Sequence, residues 1–494
     1  MITVTILLPV IGAVLLAVVR SLTVKQVQTV AFGATVAAFV ASLVLLSQFD
    51  RTNPNLQLTE AANWIPAVNA QIAFAVDGIS LALILLTTFL TPLVLLASTS
   101  SITDRFRGYA AAFLLLEAAV IAVFAATDIL LFAVVFELTI VPMYLIIGIW
   151  GGANRRYAAV KFFLYTLAGG LAMLVAIVYL YTKAGSFAYA DMLQLDLTLS
   201  EQRWLFFAFL AAFAVKIPIW PVHTWLPDAH TEAPTGGSVF LAGVLLKLGA
   251  FGVLRYLLPL FADATRLYAP WLVGFAVVGI LYGAIVALMQ SDVKKLVAYS
   301  SVSHMGFVVL GTFALNTTAT SASVVQMVNH GLSTGALFLL IGFLYERRHT
   351  RQIAAFGGLG AAVPVLAGFW LIVSLSSLAL PGLNGFVGEF PILMGTFASY
   401  PTAAVLASFG AVLAALYLLW AYQRIFHGPL VSDENRATPD MTRREIGIIT
   451  PLVALIIAIG IYPSPLFNLV EPSVERVLIE TGVGETMTLG GGAR

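Results

Sequence analysis

Cysteine is absent from all 494 residues. That excludes disulfides and cysteine-ligated iron–sulfur clusters, so any electron transfer has to occur outside this chain. Charge is scarce as well: 10% of the residues are charged, against about 25% in soluble domains. The net charge of +1 leaves no basic excess for nucleic acid, and no glycine-rich phosphate loop precedes a helix. Long polar stretches are missing too. The largest are 49–69, 185–203, 427–444 and the tail after Pro463, each too short for a catalytic domain. HGPLVSDENRATPDMTRRE, from His427 to Glu445, has the charge density of a solvated cytoplasmic loop. The apolar run from Ile2 to Val19 has no basic residue ahead of it, so it lacks the n-region of a signal peptide and reads as a first membrane span.

What remains is apolar: 60% of the chain is hydrophobic, the composition of an integral membrane protein. Windows of about 20 apolar residues predict fourteen spans, near 2–19, 27–48, 78–98, 109–126, 129–149, 159–182, 204–222, 235–257, 270–289, 295–314, 322–345, 364–398, 403–425 and 445–463. Lysine and arginine should accumulate in cytoplasmic loops. Alternate loops hold Arg20, Lys25, Arg105, Arg107, Arg155, Arg156, Lys161, Lys294, Lys295, Arg347, Arg348, Arg351, Arg424, Arg436, Arg443 and Arg444. The other side holds only Arg51, Lys183, Arg203, Arg255, Arg266, Arg476 and Arg494. The bias predicts an even number of crossings with both termini outside.

Five ionisable side chains fall inside these spans: Glu117, Glu137, Lys216, Lys247 and Glu389. A charge at the centre of a span costs roughly 2.5–3.5 kcal/mol on insertion scales, so it persists only beside a partner or water. Charges near helix ends can snorkel, which is the plain alternative. Glu117 is the weakest candidate of the five. Lys216 is followed at once by Pro218, Pro221 and Pro227, and each proline removes a backbone donor and clashes with the preceding turn. The span should therefore break just past Lys216, and broken membrane helices survive only where protein or a wet cavity covers them. LALPGLNGFVGEF, from Leu378 to Phe390, breaks a second span just before Glu389.

Histidines extend the line. His304 has Ser300 and Ser301 one turn back; His330 has Gln326 one turn back and Ser333 and Thr334 one turn on. A single such residue is more often a satisfied core histidine, but two polar stripes between charged sites suit a relay that titrates near neutrality. His223 and His230 lie at the cytoplasmic mouth of the broken seventh span. The order suggests an internal repeat, since Glu137 to His304 spans 167 residues and Lys216 to Glu389 spans 173. Matching broken helices in two halves point to inverted-repeat transporters.

The predicted fold is an all-α polytopic membrane protein with 14 transmembrane helices and two inverted five-helix repeats, helices 7 and 12 being broken. The expected divisions are helices 1–3 in residues 1–108, the first repeat in 109–258 and the second in 259–426. Residues 427–494 would supply a cytoplasmic loop, helix 14 and a tail.

The stretches VDGISLALILLT (Val76 to Thr87), FELTIVPMYLIIGIWGG (Phe136 to Gly152), AVKIPIWPVHTWLPDAHTEAPTGGSVFLAGVLLKLG (Ala214 to Gly249), KKLVAYSSVSHMGF (Lys294 to Phe307), VVQMVNHGLSTGALFLL (Val324 to Leu340) and LALPGLNGFVGEF carry a resemblance that covers nearly the whole chain. The sequence resembles the antiporter-like membrane subunits of respiratory complex I, in the branch of subunit M and mitochondrial subunit 4. The resemblance implies proton-transfer roles for the fifth-span Glu137, the seventh-span Lys216, the eighth-span Lys247 and the twelfth-span Glu389. Relay histidines fall on His304 and His330, with Glu117, His223 and His230 as secondary candidates. A glutamate in the twelfth span is the pattern of subunit M; the sister subunits and the multisubunit sodium/proton antiporters resemble one another in carrying lysine there.

The family further implies an arm of stacked homologous subunits in the bacterial plasma (inner) membrane, or in thylakoids for a photosynthetic relative. NADH, FMN, iron–sulfur clusters and quinone are then expected in partner subunits, with no cofactor, metal or nucleic acid on this chain. In such an arm, opening and closing of a Glu137–Lys216 ion pair would change how tightly the lysine holds its proton. Two charges 4 Å apart at an effective dielectric near 20 interact by about 4 kcal/mol, enough for such a switch. The rival readings are a subunit of a multisubunit sodium/proton antiporter or of a membrane-bound hydrogenase, and a structural anchor that conducts nothing. Glu389 weighs against the antiporter, and the cost of so many buried charges weighs against the anchor.

Overall fold

In this computed structural model residues 1–430 and 432–483 are described, so the placing of Arg494 lies outside the described residues. Helices α1 (Ile2–Val18) and α2 (Val24–Gln48) form an antiparallel pair; α2 starts at a capping box in which Thr23 accepts the Gln26 N–H and Gln26 reaches back. The next segment corrects the all-α expectation. Strands β1 (Gln57–Ile65) and β2 (Ala70–Val76) pair antiparallel, with Ala61 opposite Ala73, across a turn in which Asn69 has φ 57°. Asparagine enters that left-handed region readily. Glu60 of β1 accepts the backbone N–H groups of Ile2 (3.0 Å) and Thr3 (2.9 Å), tying the hairpin to the start of α1.

Then follow α3 (Gly78–Ser101), α4 (Phe106–Ala125), α5 (Ile129–Leu138), α6 (Ile140–Trp150) and α7 (Arg155–Ala184). The α5–α6 run is one apolar crossing that bends at Thr139, where Pro142 cannot donate to the carbonyl four residues back. After the single turn α8 (Tyr189–Met192) comes α9 (Leu199–Lys216), which stops before Pro218 as the sequence requires; the chain resumes in α10 (Trp225–Glu232). The next crossing is made of α11 (Thr235–Phe240), α12 (Leu246–Gly252) and α13 (Leu258–Leu260), joined by π-helical turns at Leu241–Leu245 and Val253–Leu257.

The second half contains α14 (Ala262–Leu288), α15 (Val293–Phe313) and α16 (Thr317–Arg348). Helix α17 (Pro364–Ser377) is separated from α18 (Asn384–Ser399) by a hinge in which Gly382 has φ 92°. Helix α19 (Pro401–Phe426), the turn α20 (Asp433–Arg436) and α21 (Arg443–Ile461) follow. The residues after Pro463 then depart from the expected polar tail. They form α22 (Ser464–Glu480), whose Leu469, Val470, Val474, Val477 and Leu478 make one buried stripe against α3 and α16. Glu471, Glu475, Arg476 and Glu480 interrupt the apolar residues and hid that stripe from a window of membrane length.

Eleven of the described helices are long and apolar enough to cross a membrane, and the molecule is mostly helical. The three other predicted spans fall on α1, a shorter apolar helix, and on the two broken runs α9–α10 and α17–α18. The apolar stretches of the α11–α13 crossing and of α16 are wholly buried, whereas those of α2, α19 and α21 are only a third buried. The first two form the centre, and the others present apolar faces to lipid. Close packing at that centre depends on glycine: a Cβ on Gly249 would stand 2.7 Å from the Phe213 carbonyl, so α12 can touch α9 only because it lacks one.

Two charges leave the loops assigned to them. Arg255 is buried in the π-helical turn after α12, with its guanidinium 2.7 Å from Asp77, which also meets Arg476 of α22 at 3.2 Å. Lys294, in the first turn of α15, is only 7% exposed.

Candidate functional site

The breaks and bends above decide where the charges stand. Because α9 ends at Lys216, the Val215 carbonyl loses its helical partner and accepts Trp225 Nε1 instead, at 2.9 Å. Lys216 is 2% exposed. Its ammonium donates to Thr139 Oγ1 at 3.3 Å, at the α5–α6 bend, and lies 4.7 Å over the Phe136 ring. The expected ion pair with Glu137 is open. Both Glu137 carboxyl oxygens are buried without a hydrogen-bond partner, and the carboxyl group lies against Gly170 of α7, where a Cβ would come within 1.7 Å of it.

Lys247 sits between the two π-helical turns, fully buried. Its ammonium donates to the Ala242 carbonyl inside the first π turn and to His330 Nδ1 at 2.8 Å. The His330 ring stands 5.8 Å from that of His304. His304 Nδ1 is 2.7 Å from Glu389 Oε1, and the Tyr417 hydroxyl lies 3.2 Å from His304 Nε2. The two bonds fix one tautomer: Nδ1–H donates to the carboxylate and Nε2 accepts from the hydroxyl. Gln326 donates a second bond to Glu389 Oε1 at 2.9 Å. A cavity of ≈ 10 Å³, lined by His304, Gln326, Asn329, His330, Ser333 and Ser376 among others, is about the size of one water beside this chain.

Sequence reasoning marked Lys247, His330, His304 and Glu389 separately, and the structure strings them in that order across α12, α16, α15 and α18. Glu137 and Lys216 stand apart at the first break. Glu117 is fully buried in α4, both oxygens without a partner. His223 is buried at the first break, edge-on to Tyr282 at 5.1 Å. His230 is fully buried and lies flat on Phe338, centroids 4.7 Å apart. Thr139, Gln326 and Tyr417 were not singled out as site residues. Gln326 carried a signal, one turn from His330; Tyr417 carried none, being one aromatic among many in an apolar span. Among the described residues no cluster of three or more His, Cys, Asp or Glu could hold a metal ion. The arrangement can relay protons through a low-dielectric interior, each step having a titratable group or a water within reach.

Comparison with known proteins gives consistent relatives. Residues 126–414 match the family described as NADH:quinone oxidoreductase/Mrp antiporter, transmembrane, and residues 3–127 match the amino terminus of NADH-ubiquinone oxidoreductase chain 4. NADH-quinone oxidoreductase subunit M of Rhodobacter capsulatus is 46% identical over 467 residues, covering 92% of this chain and 91% of the relative. NADH-ubiquinone oxidoreductase chain 4 of Arabidopsis thaliana is 40% identical, with 96% of each chain covered. A chain in the structure of respiratory complex I from Thermus thermophilus with bound NADH superposes with a TM-score of 0.90 at 32% identity, covering 98% of this chain and 100% of that one. A chain of the Mrp complex from Dietzia shares the fold, with a TM-score of 0.86 at 19% identity over 98% and 99% of the two chains.

Proposed function

The chain belongs to the NADH:quinone oxidoreductase/Mrp antiporter membrane family, in the chain 4 and subunit M branch, and from that premise we propose that it is a proton-pumping subunit in the membrane arm of complex I. Electron transfer would occur in partner subunits that hold NADH, FMN, iron–sulfur clusters and quinone, and homologous antiporter-like subunits would flank this one in a bacterial plasma membrane. The observation that carries the reading is the line Lys247–His330–His304–Glu389 through the buried centre, hydrogen-bonded at both ends with the two imidazole rings 5.8 Å apart in the middle.

In the proposed cycle a signal from the redox arm closes the Glu137–Lys216 pair. Closing draws the ammonium from Thr139 towards the carboxylate, and the altered field at Lys247 sends a proton through the two histidines to Glu389. Glu117 and His223 border the route as secondary relays. The alternatives keep the fold and change the coupling: ion exchange in a sodium/proton antiporter, or another electron donor in a hydrogenase arm. The glutamate at 389 favours complex I, because it accepts the His304 Nδ1–H bond, which a lysine ammonium could not.

Fourteen crossings in two inverted repeats, with both termini outside, complete the proposal. Its support is a pair of matching caps. Asp128 caps α5 through the N–H groups of Leu130 and Leu131, and Asp292 caps α15 through those of Lys294 and Lys295. Asp128 bridges to Ala188 and Asp292 to Gln352. Both the caps and their partners lie 164 residues apart, at opposite ends of the bundle.

The test is Glu389→Gln in the assembled complex. Glutamine keeps the shape and accepts from His304 but cannot change charge. Redox-driven proton uptake in reconstituted vesicles should fall at least several-fold while the subunit stays assembled. Uptake at the unsubstituted proton-to-electron ratio would sink the reading, and sodium exchange without an electron donor would turn it into the antiporter.

A further inference from the structure

One large cavity lies outside the line described above. It has a volume of ≈ 440 Å³ and opens at the arginine-rich end of the bundle, between the end of α3, the α10–α11 turn, the start of α15 and the last turns of α16. Its rim is polar and accessible: Ser101, Tyr345 and His349 are exposed, and Glu346 accepts a hydrogen bond from Ser100 at 3.1 Å. Its floor is unusual. The Lys294 ammonium lines it and donates to the Ala233 and Thr231 carbonyls, at 2.5 and 3.5 Å, where α10 ends. A cation at the carbonyl end of a helix is favourable, and here it fixes the end of the half-helix that carries His230. Phe338 also lines the cavity, and on its other side it covers His230, the rings being 8° from parallel.

His230 is fully buried, and neither ring nitrogen has a hydrogen-bond partner. A buried imidazole with two idle nitrogens is costly unless a second arrangement satisfies it. The ring is near enough to Lys294, on the cavity floor, and to Lys247, at the head of the relay, to sense both charges, and it stacks on Phe338, which shares α16 with His330, the partner of Lys247.

We propose that this cavity is the proton inlet of the relay, with His230 its inner terminus, Phe338 a flat gate over it and Lys294 the positioning residue that holds the α10 end in place. The inference rests on the proton-pumping reading and adds the side and the residues by which protons enter. With Phe338 swung off, a hydrated proton in the cavity protonates one ring nitrogen of His230. Once Lys247 has passed a proton to His330 Nδ1 and stands as the neutral amine, the proton on the other nitrogen of His230 leaves towards it, so the ring returns to neutral with its tautomer exchanged, and rotation resets it. While Phe338 lies flat the two compartments stay sealed, as a pump requires between strokes.

The experiment uses the full complex in vesicles. Because this chain has no cysteine, Ser101→Cys gives it a single thiol on the cavity rim; a bulky anionic thiol reagent is added from the cytoplasmic side, and the parent complex treated alike corrects for thiols in partner subunits. Labelling confirmed by mass should lower the proton-to-electron ratio several-fold. Phe338→Leu keeps most of the volume but removes the flat stack, and it should speed passive decay of an imposed pH gradient at least twofold with no electron donor present. A labelled complex that pumps at the unlabelled ratio overturns the inlet, and an unchanged decay in Phe338→Leu overturns the gate. Lys216→Ala in the same vesicles separates the failures: if it pumps normally the proton-pumping reading itself falls, and if it is dead while labelled Ser101→Cys pumps, only the inlet does.

Discussion

At the scale of single residues, the charged members of the site were legible because the bilayer makes them expensive. A lysine or glutamate in mid-span has to be explained, so Lys216, Lys247 and Glu389 stood out, and proline and glycine marked the breaks beside two of them. The groups that complete their coordination were not legible. Threonine, glutamine and tyrosine are cheap to bury once bonded, so Thr139, Gln326 and Tyr417 look like ordinary helix residues until the helices are packed. Nor does a sequence say whether a pair is open: Glu137 was expected on Lys216 and rests on Gly170 instead. That contact makes a prediction. Gly170→Ala places a methyl where the carboxylate now lies, and the flexible glutamate yields more easily than the helix backbone. The variant should assemble normally but hold Glu137 off its seat, lowering the proton-to-electron ratio by a measurable fraction in reconstituted vesicles while NADH oxidation by the complex continues. An unchanged ratio would show that the open position has no part in coupling.

At the scale of elements, hydropathy windows located the long helices, because each needs only about 20 apolar residues. They missed what depends on a partner. The β1–β2 hairpin forms where alternation is weak and a turn residue does the work, and α22 is held by one buried stripe and by the Arg476–Asp77 contact. Neither has a membrane-length signal. The crossing of α12 over α9 is set by glycine, and overpacking such a contact costs typically 1–3 kcal/mol. Gly249→Val should therefore lower the thermal midpoint of the detergent-solubilised complex and reduce the assembled yield, because its Cβ meets the Phe213 carbonyl at 2.7 Å. Gly274→Val on α14 is the control, as its Cβ meets nothing within 4 Å. Equal midpoints for the two would mean that α12 does not need its close approach.

At the scale of the whole molecule, the excess of arginine and lysine on one side predicts the orientation, and the structure explains two residues that blurred the count. Arg255 and Lys294 are buried partners of Asp77 and of the α10 carbonyls, not loop charges. Setting them aside leaves the bias as strong as before. Ser432, at the start of the turn α20, should lie in the cytoplasm with the rest of the α19–α21 connection. A Ser432→Cys variant should react with a membrane-impermeant thiol reagent in inverted vesicles and stay unlabelled in right-side-out ones; the reverse pattern would overturn the topology.

The twin caps at Asp128 and Asp292 reach beyond the finished fold to its biogenesis. On the proposed topology Asp128 stands at the outer face and Asp292 at the cytoplasmic face, so the matching second helices of the two halves begin from opposite sides of the bilayer. As the chain leaves the ribosome, the first cap can close only after an aspartate has been carried through the translocon. The second closes where it emerges, with nothing to export. The half that carries Lys216 thus waits on translocation to start its second helix, whereas the half that carries Glu389 can start the matching helix as soon as it is synthesised.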